Sequence, residues 1–151
     1  DLELNTDGIE QYIKFFNIHM VVPALLIENF YRALFNKGEK GVVINITDIF
    51  SENPSSSQAL YCSTKAGLES LTKSLAKKYA NIMRVNSIQP GPIKFLPEHT
   101  EAEKNNVLSQ TLIAVESGFY PILQAVRFII DNNYVTGTAI KVDGGRSINS
   151  W

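Results

Sequence analysis

Two strand-like segments bracketing a long helical one constrain this chain most. Gly41-Val42-Val43-Ile44-Asn45-Ile46-Thr47 is short and nearly continuous in apolar residues, the pattern of a strand covered on both faces. Met83-Arg84-Val85-Asn86-Ser87-Ile88 reads as the next strand, ended by Gln89-Pro90-Gly91-Pro92. Between them, after a polar loop over 51–58, residues 59–80 carry an apolar stripe at helical spacing: Leu68, Leu71, Leu75 and Tyr79. A strand, a helix and a strand of this kind make a crossover unit, and therefore a parallel sheet.

The flanking segments extend this α/β pattern. A helical region runs from a capping-box-like start, Asp7 with Glu10, to about Lys37, and Gly38 and Gly41 bracket its end. Pro23 predicts a break between a short first helix and a longer second one. Its apolar residues surround most of the circumference, which predicts burial by the sheet and by something else. After a polar, Pro97-containing loop, helices are expected over about 102–114 and 121–131, the latter with proline at its start. A last strand over 138–142 closes on Asp143-Gly144-Gly145. Three strands are few for such a sheet. On the long helix Ser63, Ala66, Gly67, Ser70 and Ser74 form a stripe of small residues, read as a surface for close helix packing between subunits, with a solvent-facing serine face as the alternative.

Composition removes several classes of function. With 14 basic and 15 acidic residues and no basic run, nucleic acid is not expected as a partner. The longest apolar stretches, such as 20–27 and 41–46, are far short of a membrane span, so no membrane is expected. One cysteine, Cys62, makes no intramolecular disulfide and reads as a packing residue, which favours the cytoplasm. His19 and His99 stand apart with no metal-ligand spacing; no metal is expected, and His19 reads as a helix-face residue.

The chemistry gathers at one edge. Tyr61 and Lys65 are four apart on one helix and reach the same side. A phenol is a poor acid at neutral pH, and a nearby ammonium favours its ionised form, so the pair is expected to draw the Tyr61 pKa downward. A lone Tyr-x-x-x-Lys carries little weight in a chain with six tyrosines. Here, however, Asp48 stands at the end of one predicted strand and Pro90-Gly91-Pro92 at the end of the next. Carboxyl ends of adjacent parallel strands are where open α/β sheets bind ligands.

With Tyr61-Cys62-Ser63-Thr64-Lys65-Ala66, Arg84-Val85-Asn86-Ser87-Ile88-Gln89-Pro90-Gly91 and Val135-Thr136-Gly137 followed by Val142-Asp143-Gly144-Gly145, the chain resembles the short-chain dehydrogenases/reductases from about residue 7 to its end. In that family a serine usually stands thirteen residues before the tyrosine; here the position is Asp48, as in the pteridine reductase branch. Ile46-Thr47-Asp48, Phe95-Leu96-Pro97-Glu98-His99 and Asp143-Gly144-Gly145-Arg146 look most like the dihydromonapterin reductases of that branch.

The resemblance implies the C-terminal part of a doubly wound, Rossmann-type domain over residues 1–151. No Gly-x-Gly occurs and the chain opens at Asp1, so the N-terminal nucleotide-binding half is expected to be absent, the first strand to present an open edge, and the chain alone to be inactive. It further implies an NADPH- or NADH-dependent reductase of a dihydropterin or dihydrofolate, with Asn17, Asp48, Tyr61 and Lys65 catalytic. Tyr61, Lys65, Pro90, Gly91 and Ile93 would hold the cofactor, and Asp48, Phe95 and Leu96 the substrate. Arg146 reads as a surface salt-bridge residue or one reaching a site near a subunit boundary. A homo-oligomer, dimer or tetramer, is implied through the helices over 9–37 and 59–80. The alternatives are a carbonyl reductase of the same fold, acting on an oxoacyl or sugar-alcohol substrate, and a non-catalytic scaffold member.

Overall fold

A computed structural model describes residues 6–149. The helical region divides into α1 (Thr6–Phe16), one π-helical turn (Asn17–Val21) and α2 (Val22–Lys37). The side chain of Asp7, and with it the capping box expected there, lies outside what is described. Then follow β1 (Gly41–Ile46), α3 (Ala59–Lys78), β2 (Met83–Pro90), α4 (Glu101–Ser109), α5 (Tyr120–Asp131) and β3 (Ala139–Val142). The three strands are parallel in the order β1-β2-β3, with Val43 opposite Val85 and Ile88 opposite Ile140.

The break near Pro23 takes a form that spacing does not reveal. Pro23 has no N–H for the carbonyl four residues back, and its ring would crowd that carbonyl. The chain answers with a wider turn, in which the Val22 N–H bonds to the Asn17 carbonyl, and the α-helix resumes around Pro23. At the far end Gly38, at φ 67°, lets the backbone N–H groups of Gly38 and Glu39 return to the Phe35 and Leu34 carbonyls.

Strand alternation sorts the core into two layers. Val43, Met83 and Val85 face α2 and α3, where they meet Ile27, Leu34, Ala76 and Tyr79. Val42, Ile44, Ile88 and Ile140 face α5, where they meet Ala125 and Ile129. Truncating a fully buried residue such as Ile129 to Ala costs about 2–5 kcal/mol, so α5 is firmly anchored. On the α3 face the packing changes character along the strands. Towards their carboxyl ends Asn45, Thr47, Ser87 and Gln89 replace the valines, and they meet Thr72 and Glu69 on the helix.

Three expectations need correction. β1 is only half-buried, and Ile46 is exposed: among the described residues β1 pairs with β2 alone, so its outer edge is open. α4 ends at Ser109 rather than near 114, because Arg146 donates to the Val107 carbonyl (2.7 Å) and to Gln110 Oε1 (2.8 Å) and closes the helix end. Finally, the small-residue stripe is partly used within the chain: a Cβ on Gly67 would lie 2.7 Å from the Met20 sulfur, whereas Ser63, Ser70 and Ser74 stay exposed.

By length and composition the helical run Gly8–Lys37, with mean hydropathy 1.2 in its most apolar stretch, could cross a membrane. Its inner face instead seats Ile27 and Leu34 in the core, and Glu28 ties it to α3. Glu28 bonds to Arg32 (3.0 Å), to Lys78 (3.3 Å) and to the Tyr79 hydroxyl, and these partners, Tyr79 foremost, hold its carboxyl at about 2. A depressed folded-state pKa adds stability above the unfolded value of 4.5, and that stability is lost as pH falls towards about 2. The expected outcome is that Glu28→Gln flattens the fall of melting temperature over this acid window, read by circular dichroism.

Candidate active site

Asp48 is the second residue past β1, and its Oδ1 accepts from the Phe50 N–H at 2.9 Å, which starts a single 3-10 turn. A second 3-10 turn, Ser56–Gln58, delivers the chain into α3, whose first turn holds Tyr61. The Tyr61 hydroxyl donates to Asp48 Oδ2 at 2.8 Å, so both carboxylate oxygens of Asp48 are engaged. One turn on, the Lys65 ammonium donates to the Ile46 carbonyl at 3.1 Å and lies 5.9 Å from the centre of the Tyr61 ring.

The electrostatics invert the expectation for Tyr61. Burial, then the charge of Asp48, then the hydrogen bond to it, push the phenol well above its ordinary value. Lys65 turns to a backbone carbonyl instead of the phenol oxygen, and its own pKa is lowered by burial against an opposing pull from Asp48. Tyr61 is therefore a firmly protonated donor.

Asn17 does not join this group. It is exposed at the start of the π turn, and among the described residues no hydrogen bond links it to Asp48, Tyr61 or Lys65. His19, two residues on, does: its ring lies edge-on to Tyr61 (5.6 Å) and stacks on Phe15 (5.7 Å), and its Nδ1 is 2.8 Å from Thr64 Oγ1. The sequence signal that could have found it is Pro23, whose accommodation widens the turn that carries His19. Burial first, then the Lys65 charge, lower the His19 pKa, while Asp48 opposes them. As pH falls below 6.5 the unfolded chain takes up a proton that the folded one resists, so the buried imidazole penalises the fold on acidification. Relative to His19→Gln, the protein is expected to lose melting temperature between about pH 7 and about pH 5.

The remaining predicted residues gather separately. Asp48 and Tyr61 line a cavity of about 460 Å³ with Gln11, Phe15 and Phe50. Pro90, Gly91, Ile93, Phe95 and Leu96 line a larger, mostly apolar cavity of about 820 Å³, walled also by Ile46, Phe119 and Ile122. The end of β1 touches both, through Ile46 and Asp48. Gly91 is required by close approach: a Cβ there would sit 2.7 Å from the Asp143 backbone. Two backbone groups expected to face a cofactor are used internally, since the Gly91 N–H bonds to the Val142 carbonyl and the Ile93 carbonyl accepts from Gly118. Lys65 fits a polyhydroxyl ligand, because one of its three N–H groups serves Ile46. Among the described residues no cluster could hold a metal ion.

A family model described as "Enoyl-(Acyl carrier protein) reductase" matches residues 4–147. The chain belongs to the short-chain dehydrogenase/reductase family. It is 32% identical to a dihydromonapterin reductase of Enterobacter sp. (strain 638) over 133 residues, 87% of this chain and 55% of that protein. It is equally similar, 32% over 136 residues, to one from Klebsiella pneumoniae, covering 89% and 57%. Among solved structures, FolM alternative dihydrofolate reductase 1 from Brucella suis, in complex with NADP, superposes with a TM-score of 0.83 at 27% identity over 95% of this chain and 57% of that one. A 4-hydroxyisoleucine dehydrogenase complexed with NADH shares the fold, with a TM-score of 0.89 at 24% identity over 99% and 63%. The chain thus spans little more than half the length of the curated relatives it matches. The α/β architecture of three parallel strands and crossover helices is that of a Rossmann-type domain of this family.

Proposed function

We propose that this chain carries the proton-transfer side of an NADPH-dependent reductase acting on the C=N bond of a dihydropterin or dihydrofolate-type substrate. The observation that carries the reading is the 2.8 Å hydrogen bond from the Tyr61 hydroxyl to Asp48. Reducing C=N needs a hydride at carbon and a proton at nitrogen. A bound reduced nicotinamide would supply the hydride, with Tyr61 and Lys65 holding its ribose and the Pro90–Ile93 turn its ring. An acid far above the working pH transfers its proton poorly. Tyr61 therefore orients Asp48 and its water, and Asp48 relays the proton to the ring nitrogen. Phe95 and Leu96 line the substrate side of the larger cavity. The dihydromonapterin reductases and the FolM structure support the substrate class, and the NADP in the latter supports the cofactor.

A carbonyl reductase would develop an alkoxide beside Asp48, and a fixed anion opposes that charge. The test is NADPH oxidation by the full-length protein with dihydrobiopterin against an acetoacetyl thioester. Turnover of the pterin is expected; turnover of the thioester alone rejects the reading, and turnover of neither favours a scaffold role. We also propose a cytoplasmic homo-oligomer; the exposed Leu25 and Leu26 on α2 and the exposed serines of α3 support the assembly.

A further inference from the structure

Glu69 is the one carboxylate among the described residues that is buried, at 5% exposed, and nothing in the proposed chemistry uses it. It sits two turns beyond Tyr61 on α3, and no cation lies within ion-pair distance of it among the described residues. Its partners are neutral donors at the carboxyl ends of two strands. Thr47 Oγ1 donates to Oε2 at 3.1 Å, the Ser87 hydroxyl lies 2.9 and 2.8 Å from the two oxygens, and Gln89 Nε2 is 3.3 Å from Oε2.

Followed outward, these bonds lead to Asp48 by two arms. The first runs through Thr47, the residue immediately before it, whose hydroxyl also reaches the Ile88 carbonyl (3.2 Å). The second runs through Gln89, whose amide donates to Ser51 Oγ at 3.1 Å, and the Ser51 hydroxyl in turn donates to the Asp48 carbonyl at 2.6 Å. The backbone of Asp48 is thus gripped on both sides by a network rooted in Glu69. This leaves the side chain free to face Phe50 and Tyr61.

We propose that Glu69 is a positioning residue that fixes Asp48 against Tyr61 through Thr47 on one side and through Gln89 and Ser51 on the other. The inference rests on the reading of Asp48 and Tyr61 as the proton-transfer pair. One feature of the network is open: Gln89 Oε1 is buried with no hydrogen-bond partner among the described residues, while its Nε2 has several acceptors in reach. A glutamine at position 69 could accept from Thr47 and Ser87 with its oxygen and donate to that atom, whereas a leucine could do neither.

The experiment uses the full-length protein with Glu69→Leu, Glu69→Gln and Ser51→Ala, each checked for folding by circular dichroism. Two quantities are read: steady-state kcat and cofactor KM, and the titration of Tyr61 by NMR of Cζ-labelled tyrosine, assigned with Tyr61→Phe. Tyr61 is faced by Asp48, Lys65 and His19, of which only Asp48 is held by the network. Glu69→Leu is expected to lower kcat about 10–100-fold with cofactor KM little changed, and to bring the Tyr61 titration to lower pH as Asp48 swings away. Glu69→Gln is expected to keep kcat within about threefold, and Ser51→Ala, which cuts one arm, to shift both readouts the same way but less. A folded Glu69→Leu with an unmoved Tyr61 titration overturns the proposal, whatever happens to kcat; if that variant does not fold, an unmoved titration in Ser51→Ala does so. Should the unmutated protein reduce no dihydropterin, the functional reading fails, while the Tyr61 titration still decides the positioning role.

Discussion

Asp48→Asn is expected to lower kcat for a dihydropterin by about 10²–10⁴-fold with the fold intact. The asparagine can still accept from the Phe50 N–H, so the 3-10 turn survives. What disappears is the group that exchanges a proton with water. The partner of the Tyr61 hydroxyl also changes from an anion to a neutral amide. The Asp48 charge, one of the main causes that raise the Tyr61 phenol, then vanishes, and the hydrogen bond to a carboxylate becomes one to a neutral amide, while burial remains. The alkaline titration of Tyr61 should accordingly move down in the same variant that loses turnover. A kcat within threefold of the original, measured by NADPH consumption across the pH range, would remove Asp48 from the reaction.

Tyr61→Phe is expected to cost a comparable factor for a different reason. The phenyl ring keeps the edge contacts to Phe15 and His19, so packing at the head of α3 is retained. The 2.8 Å bond to Asp48 is lost, and the carboxylate is then steered only by Phe50 and by its own backbone. If the phenol orients while Asp48 relays, the variant should lose kcat and keep the pH dependence of what activity remains. If the phenol itself delivers the proton, the profile should flatten as well. Paired pH profiles separate the two, and an unchanged kcat would leave Tyr61 as a packing residue.

Much of this architecture is legible from residue pattern because it is local. β1 follows from a β-branched run, α3 from a 3.6-residue stripe and β2 from the short segment ended by Gln89-Pro90-Gly91-Pro92, and the thirteen-residue interval from Asp48 to Tyr61 spans one loop and one helical turn. What escaped is set by partners distant in the chain. The end of α4 depends on Arg146, 39 positions beyond Val107. Helical spacing correctly puts Lys65 on the side of Tyr61, but it cannot say that the ammonium prefers the Ile46 carbonyl to the phenol. Glu69 looks like any charged residue on a lysine- and serine-rich helix, and its burial becomes visible only when Thr47, Ser87 and Gln89 are seen above it. The resemblance points to Asn17, whereas the side chain that reaches Tyr61 is that of His19, because the π turn sets which residues of this stretch face α3.

The winding departs from an α-helix at that single turn, and the departure has a geometric meaning. A π turn accommodates one residue more than the α-helical repeat, and each α-helical residue advances about 100° around the axis. α1 and α2 are consequently out of phase by that angle, like two screws joined with a shim. The shim lets α2 keep Ile27 and Leu34 against the sheet while Phe15 and His19 look towards Tyr61. Deleting one residue between 17 and 21 would restore ideal winding and swing the aromatic pair away from Tyr61. At this spot a more regular helix would make a poorer site.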